Sequence, residues 1–186
     1  MRGLVIGVIL TMAAACGGSG SNATRTSATT ARVGPSTSTV SSSGGSTSPV
    51  SIAPTQPTAH LVAVRAARQG ATDRVVFEFT ERVPGYNVAY SSEPLVDTSG
   101  RRVTVTEPAV LVVRMESASG FNLDTGKPTY TGAKQVQPAD TQAVEQVAQV
   151  DDFEGVLRWA IGMHSQTAFR VSTLASPPRL VIDVGA

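Results

Sequence analysis

From about residue 58 onward, apolar and polar positions alternate in short runs bounded by turn-forming residues, the pattern of an all-β sandwich or barrel. In Arg74-Val75-Val76-Phe77-Glu78-Phe79 the period of two sends Val75, Phe77 and Phe79 to one face and Glu78 to the other. Similar runs occur at Leu61-Val62-Ala63-Val64 and, behind the Pro84-Gly85 turn, at Tyr86-Asn87-Val88-Ala89-Tyr90. Leu95-Val96 and Arg102-Val103-Thr104-Val105 flank Thr98-Ser99-Gly100 and read as two more. The run from Val110 to Met115 is apolar on both faces and is expected in the interior of a sheet. Val144 to Val150 fits a helix face as well as a strand; it is read as strand because Phe153-Glu154-Gly155 turns it into the next run, Val156 to Gly162. Ala168 to Leu174 and Arg179 to Val184 are expected to form a hairpin across Ser176-Pro177-Pro178. Residues 117 to 140 are rich in turn formers, and a loop this long in a compact domain is often functional.

The first 57 residues follow other patterns. An apolar run from Leu4 to Thr11 follows Arg2 and is too short to span a hydrocarbon core of ~30 Å, so it reads as the core of a signal peptide. It ends in Ala13-Ala14-Ala15-Cys16, which looks like a bacterial lipobox, with Ala13 where leucine is usual. Cys16 is therefore the expected lipidation site, and a diacylglycerol thioether supplies the two acyl chains that stable anchoring requires. Residues 17 to 57 are mostly Ser, Thr, Gly and Pro, with no aromatic or acidic residue, and cannot form a core. As a flexible coil they would average roughly 35 Å end to end, enough to lift a domain off the membrane surface. The expected organisation is a signal peptide over 1–15, a lipidated cysteine and disordered linker over 16–57, and a folded β domain over 58–186. No later run approaches the ~18 consecutive apolar residues of a membrane helix.

Charge and cysteine content narrow the chemistry. Charged residues are 16% of the 186, against the usual quarter, and Lys127 and Lys134 are the only lysines. Residues 58–186 hold 12 basic and 14 acidic side chains, so the domain has no attractive field for nucleic acid. One cysteine excludes an intrachain disulfide and cysteine-rich metal sites. His60 and His164 are isolated, without metal-ligand spacing, and are read as surface or turn residues. No Gly-x-Ser-x-Gly elbow supports a serine hydrolase. Gly120 to Lys127 has the wrong spacing for a phosphate-binding loop, and Pro128 stands where a Mg-binding hydroxyl is needed. Asp151, Asp152 and Glu154 lack the alternating spacing of a calcium loop and are read as a solvated turn. No cofactor, metal or catalytic residue is expected.

The domain resembles the AMIN family of periplasmic cell-wall amidases and secretins, and most closely the AMIN-like domain of actinobacterial lipoproteins. The resemblance rests on the opening Asp73-Arg74-Val75-Val76-Phe77-Glu78-Phe79, the closing Pro178-Arg179-Leu180-Val181-Ile182-Asp183-Val184, and Asp152-Phe153-Glu154-Gly155-Val156-Leu157-Arg158-Trp159-Ala160-Ile161-Gly162 between them. It implies a β-sandwich of two small sheets that binds or localises to peptidoglycan. Here lipid and linker, rather than a fused enzyme, are expected to set the location: the extracytoplasmic face of a cell membrane, with peptidoglycan or envelope proteins as partners. Wall polymers are held by aromatic faces and by arginine forks on carboxylates, which makes Arg158, Trp159, Arg179 and Tyr130 the candidate binding residues. Arg158 and Trp159 face opposite ways in a strand, so Trp159 is read as core and Arg158 as its solvent-facing neighbour. Two other functions fit the same residues: an enzyme acting on wall peptides or glycans, and a carrier holding a small apolar ligand between the sheets.

Overall fold

The alternating runs form strands, and every regular element among the described residues is a strand. The structure, a computed structural model, describes residues 45–185. The expected signal peptide, Cys16 and the linker to residue 44 lie outside the described residues. Eleven strands follow in order: β1 (Val50–Ile52), β2 (Ala59–Gln69), β3 (Thr72–Phe79), β4 (Gly85–Ser91), β5 (Ala109–Glu116), β6 (Ala118–Ser119), β7 (Gln135–Val136), β8 (Val144–Phe153), β9 (Val156–Met163), β10 (Phe169–Ala175) and β11 (Pro178–Val184). They make a six-stranded sheet, β1-β4-β5-β9-β8-β7, and a five-stranded sheet, β10-β11-β3-β2-β6. The two pack face to face as the expected sandwich. Every pairing is antiparallel except β2 with β6.

The inner faces come from the period of two. Val75, Phe77 and Phe79 of β3 face Leu111, Val113 and Met115 of β5 and Leu157, Trp159 and Ile161 of β9 within one buried cluster. Trp159 is fully buried, its ring edge-on to Phe77 of the opposite sheet with centroids 5.9 Å apart. Truncating such a side chain costs about 3–5 kcal/mol. At the other end of the sandwich, Tyr90 of β4 packs edge-on against Phe169 of β10, also at 5.9 Å. Its hydroxyl donates to the Thr167 carbonyl and accepts the Thr167 N–H. As expected, β5 is an interior strand, between β4 and β9, and Val144 to Val150 is strand.

One carboxylate stands on the apolar side of β3. Asp73 is fully buried, in phase with Val75, Phe77 and Phe79. Its Oδ2 accepts the backbone N–H groups of Gln142, Ala143 and Val144 at 2.8, 2.6 and 3.0 Å, and its Oδ1 accepts Arg68 Nη1 at 3.0 Å. The carboxylate thus clamps the entry to β8, in one sheet, to the β2–β3 hairpin of the other. Burial alone would raise its pKa; the Ala143 and Val144 amides, Arg68 and the Gln142 amide outweigh it and hold the carboxyl below its ordinary value.

Two expected elements differ. Residues 45–57, read from composition as linker, supply strand β1, which pairs Val50 with Val88 and Ile52 with Tyr86. Just before it, Ser46 exchanges both backbone hydrogen bonds with Phe169 of β10. The segment therefore runs from the edge of one sheet to the edge of the other. Gly85 permits the close approach: a Cβ there would lie 2.3 Å from the Pro54 Cα. The second difference is the run Arg102-Val103-Thr104-Val105, which joins neither sheet. The edges of β4 are already taken by β1 and β5, so the residues between β4 and β5 fold over and pair only with themselves, through a bridge between Val96 and Arg102.

Candidate functional site

The connection between β4 and β5 lies across the outer face of the six-stranded sheet, where a Cβ on Gly162 of β9 would come within 2.7 Å of Glu107 and 2.8 Å of Val105. Its tip is shaped by Asp97, whose Oδ1 accepts the Ser99 hydroxyl and the Ser99 and Arg101 N–H groups at 2.6–2.9 Å. The Ser99 hydroxyl, with the Arg101 and Ser99 amides and the Arg101 side chain, holds the Asp97 carboxyl below its ordinary pKa. Two bonds fasten this tip to the sheet: Thr98 N–H donates to Asp151 at 3.1 Å, and Arg158 Nη2 donates to the Val96 carbonyl at 2.7 Å.

The irregular segment between β6 and β7 forms the facing wall. Asp152 anchors its start, accepting the Ser119 hydroxyl at 2.9 Å and the Gly120 N–H at 2.7 Å. Asn122 then organises a turn by accepting the Asp124 and Thr125 amides, which leaves Phe121 41% exposed. Beyond it, the Lys134 carbonyl accepts the Gln149 N–H at 2.7 Å, fixing the backbone beside β7. Between the two walls is a cleft of ≈ 510 Å³, within the range of ligand pockets, with Arg101, Arg102, Phe121 and Lys134 on its lining.

The charges of this cleft are unevenly committed. Asp97 is held by its own turn, Asp151 by Arg158 and Thr98, and Asp152 by Ser119 and Gly120. Arg101 pairs with Asp97 at 3.0 Å, its side chain 82% exposed. Arg102 and Lys134, both exposed, have no ion-pair partner among the described residues. The carboxylates are thus structural; Asp97 and Asp151 are ion-paired, Asp152 is held by neutral donors alone, and with Arg102 and Lys134 both unpaired among the described residues the balance of charge lining the cleft is positive.

The four residues singled out from sequence do not form one surface. Trp159 is core and Arg158 points to the other side of β9, in contact with the outer wall; its Nε bonds Asp151 at 3.0 Å. Arg179 lies on the outer face of the other sheet, where it and Arg65 share Glu78 at 3.0 Å each. These two guanidinium groups, Arg65 first, hold the Glu78 carboxyl below its usual range. Tyr130 closes over Trp159, ring centroids 5.6 Å apart, with its hydroxyl donating to the Ala133 carbonyl at 2.6 Å. Burial pushes its phenol pKa up. Tyr130 and Trp159 are therefore brought together, but as packing beneath the irregular segment rather than as an open platform.

Asp151 and Asp152, read as a solvated turn, lie on β8 with the partners just named, and only Glu154-Gly155 turns. His60 sits 3.3 Å from Glu81, and His164 2.6 Å from Glu145. Among the described residues no three His, Cys, Asp or Glu side chains are grouped as a metal site. Sequence reasoning did not single out Arg102 and Lys134. Their availability depends on which carboxylates are already engaged, and that is settled by contacts between distant residues.

The family model for the AMIN-like domain matches residues 59–186. No curated protein matches the chain.

Proposed function

The chain belongs to the AMIN-like domain family, and from that membership we propose that it is a non-enzymatic, lipid-anchored envelope protein whose β-sandwich binds cell-wall peptidoglycan. The observation that carries this reading is the extent of the family match, which takes in ten of the eleven strands, from β2 to β11, and with them both walls of the cleft. Ala13-Ala14-Ala15-Cys16 supports the anchor, placing an acylated Cys16 at the extracytoplasmic face of the membrane. The partners in this reading are the membrane, through the lipid, and peptidoglycan or neighbouring envelope proteins, through the domain; nucleic acid is not among them. Side chains such as Trp159, Phe77 and Leu111 fill the interval between the sheets, which disfavours an apolar ligand carried there.

Sedimentation tests the binding. The full chain, held in mild detergent, is expected to pellet with insoluble peptidoglycan above a control protein at low salt; no enrichment overturns wall binding. Release of soluble wall fragments would favour an enzyme instead. Metabolic labelling with a radioactive fatty acid tests the anchor: label is expected in the wild-type chain and lost in Cys16→Ser, and an unlabelled wild type refutes lipidation.

A further inference from the structure

We propose that the cleft between the β4–β5 connection and β7–β8 binds the free carboxylate of a short peptide, with Arg102 on one wall and Lys134 on the other as its charge partners. The proposal rests on the peptidoglycan reading, since the free carboxylates of that polymer are carried by its peptides.

A cleft with equal numbers of acids and bases would ordinarily be neutral to a charged ligand. Here Asp97, Asp151 and Asp152 each accept two or more hydrogen bonds from fixed groups of the protein, so turning them toward a ligand would break the walls themselves. Arg102 and Lys134 carry no such commitment. Their backbones are nonetheless pinned, Arg102 by its bridge to Val96 and Lys134 by the bond from Gln149 N–H, so two cations are presented from fixed points. An arginine fork with a second cation is the donor set that suits a carboxylate. Val103 and Phe121 on the same lining offer apolar contact for a small alkyl side chain beside it. The volume, ≈ 510 Å³, suits a peptide end rather than a long polymer segment.

The test uses the full chain in detergent and the probe fluorescein-labelled lysyl-D-alanyl-D-alanine, as the free acid and as the C-terminal amide, read by fluorescence anisotropy. The acid is expected to bind at least about tenfold more tightly than the amide, as removal of a charge-assisted hydrogen bond requires. Arg102→Gln with Lys134→Gln is expected to abolish that preference and to weaken pelleting with peptidoglycan; both positions are exposed, and circular dichroism checks that the fold is kept. Equal binding of acid and amide, or a double variant that retains the preference, overturns the proposal. So does an oligogalacturonate that competes as well as the peptide, because it moves the carboxylate from peptide to sugar. If the wild type pellets with peptidoglycan but ignores the peptide, the cleft assignment falls and the wall-binding reading stands. If the peptide acid binds through Arg102 and Lys134 but peptidoglycan does not pellet the chain, the wall-binding reading falls and the carboxylate site stands.

Discussion

Replacing Asp73 by alanine removes one side chain and strands four donors. Three are the backbone N–H groups of Gln142, Ala143 and Val144; the fourth is the Arg68 guanidinium. An unsatisfied buried donor costs about 1–3 kcal/mol, but only the Val144 contact is completely buried, so the sum falls short of four such penalties. One fully buried donor at about 1–3 kcal/mol and three part-buried ones toward the low end of that range, Arg68 among them with its side chain 28% exposed, put Asp73→Ala at about 3–5 kcal/mol. Asp73→Asn is milder, about 1.5–3 kcal/mol: its carbonyl keeps the three amides, while its NH₂ opposes Arg68. Urea unfolding followed by the fluorescence of Trp159, the sole tryptophan, measures both. With m of about 2 kcal/mol/M, the alanine variant should unfold about 2 M earlier. The pH dependence has a definite sign. Because the native carboxyl is held below its ordinary value, its stabilisation is complete above the unfolded pKa of about 3.9 and is lost as pH falls through the native one. The gap between wild type and Asp73→Asn should therefore close below about pH 4. An alanine variant whose midpoint moves by less than about 0.3 M would refute the clamp.

Two glycines make further predictions. Gly85→Ala drives a Cβ into the Pro54 backbone at 2.3 Å and should free residues 50–54 from β4; hydrogen exchange is expected to show lost protection at Val50–Ile52 with β5 and β9 unchanged, and retained protection there contradicts the packing. Gly132→Ala places a Cβ 2.7 Å from the Tyr130 hydroxyl and 2.8 Å from its ring, so it should tilt Tyr130 off Trp159, alter the tryptophan emission and cost about 1–3 kcal/mol in the same urea assay.

The strands that could be read from sequence are those whose faces have distinct fates. Val75, Phe77 and Phe79 alternate because one side of β3 is core, and the same phase, extended back two residues, puts Asp73 among them; the signal was there in the period of two. Trp159 as core and Arg158 opposite it follow from the same geometry. Arg102-Val103-Thr104-Val105 alternates equally well and is not a ladder strand, because pairing needs a vacant edge and β4 has none. Strand β1 was hidden for the converse reason: three residues in a Ser/Thr/Pro-rich stretch are held by backbone hydrogen bonds and by the space left at Gly85, and composition records neither. At the candidate site, Tyr130 and the irregular segment could be located from sequence. The engagement of Arg158 with Asp151 and of Arg179 with Glu78 could not, since each pair is set by cross-strand register.

The edge position of β1 has a mechanical consequence. In the six-stranded sheet β1 and β7 are the two outermost strands, five spacings of about 4.8 Å apart, so the polypeptide joins this sheet some 24 Å from the rim where Lys134 stands. A pull from upstream of Val50 against a load held at that rim would act across the strands, reaching first the two Ser46–Phe169 bonds and then the three-residue seam of β1 on β4. Release of those few bonds would lengthen the leash by several residues while the long ladders of β4, β5, β9 and β8, which carry the walls of the cleft, stay paired.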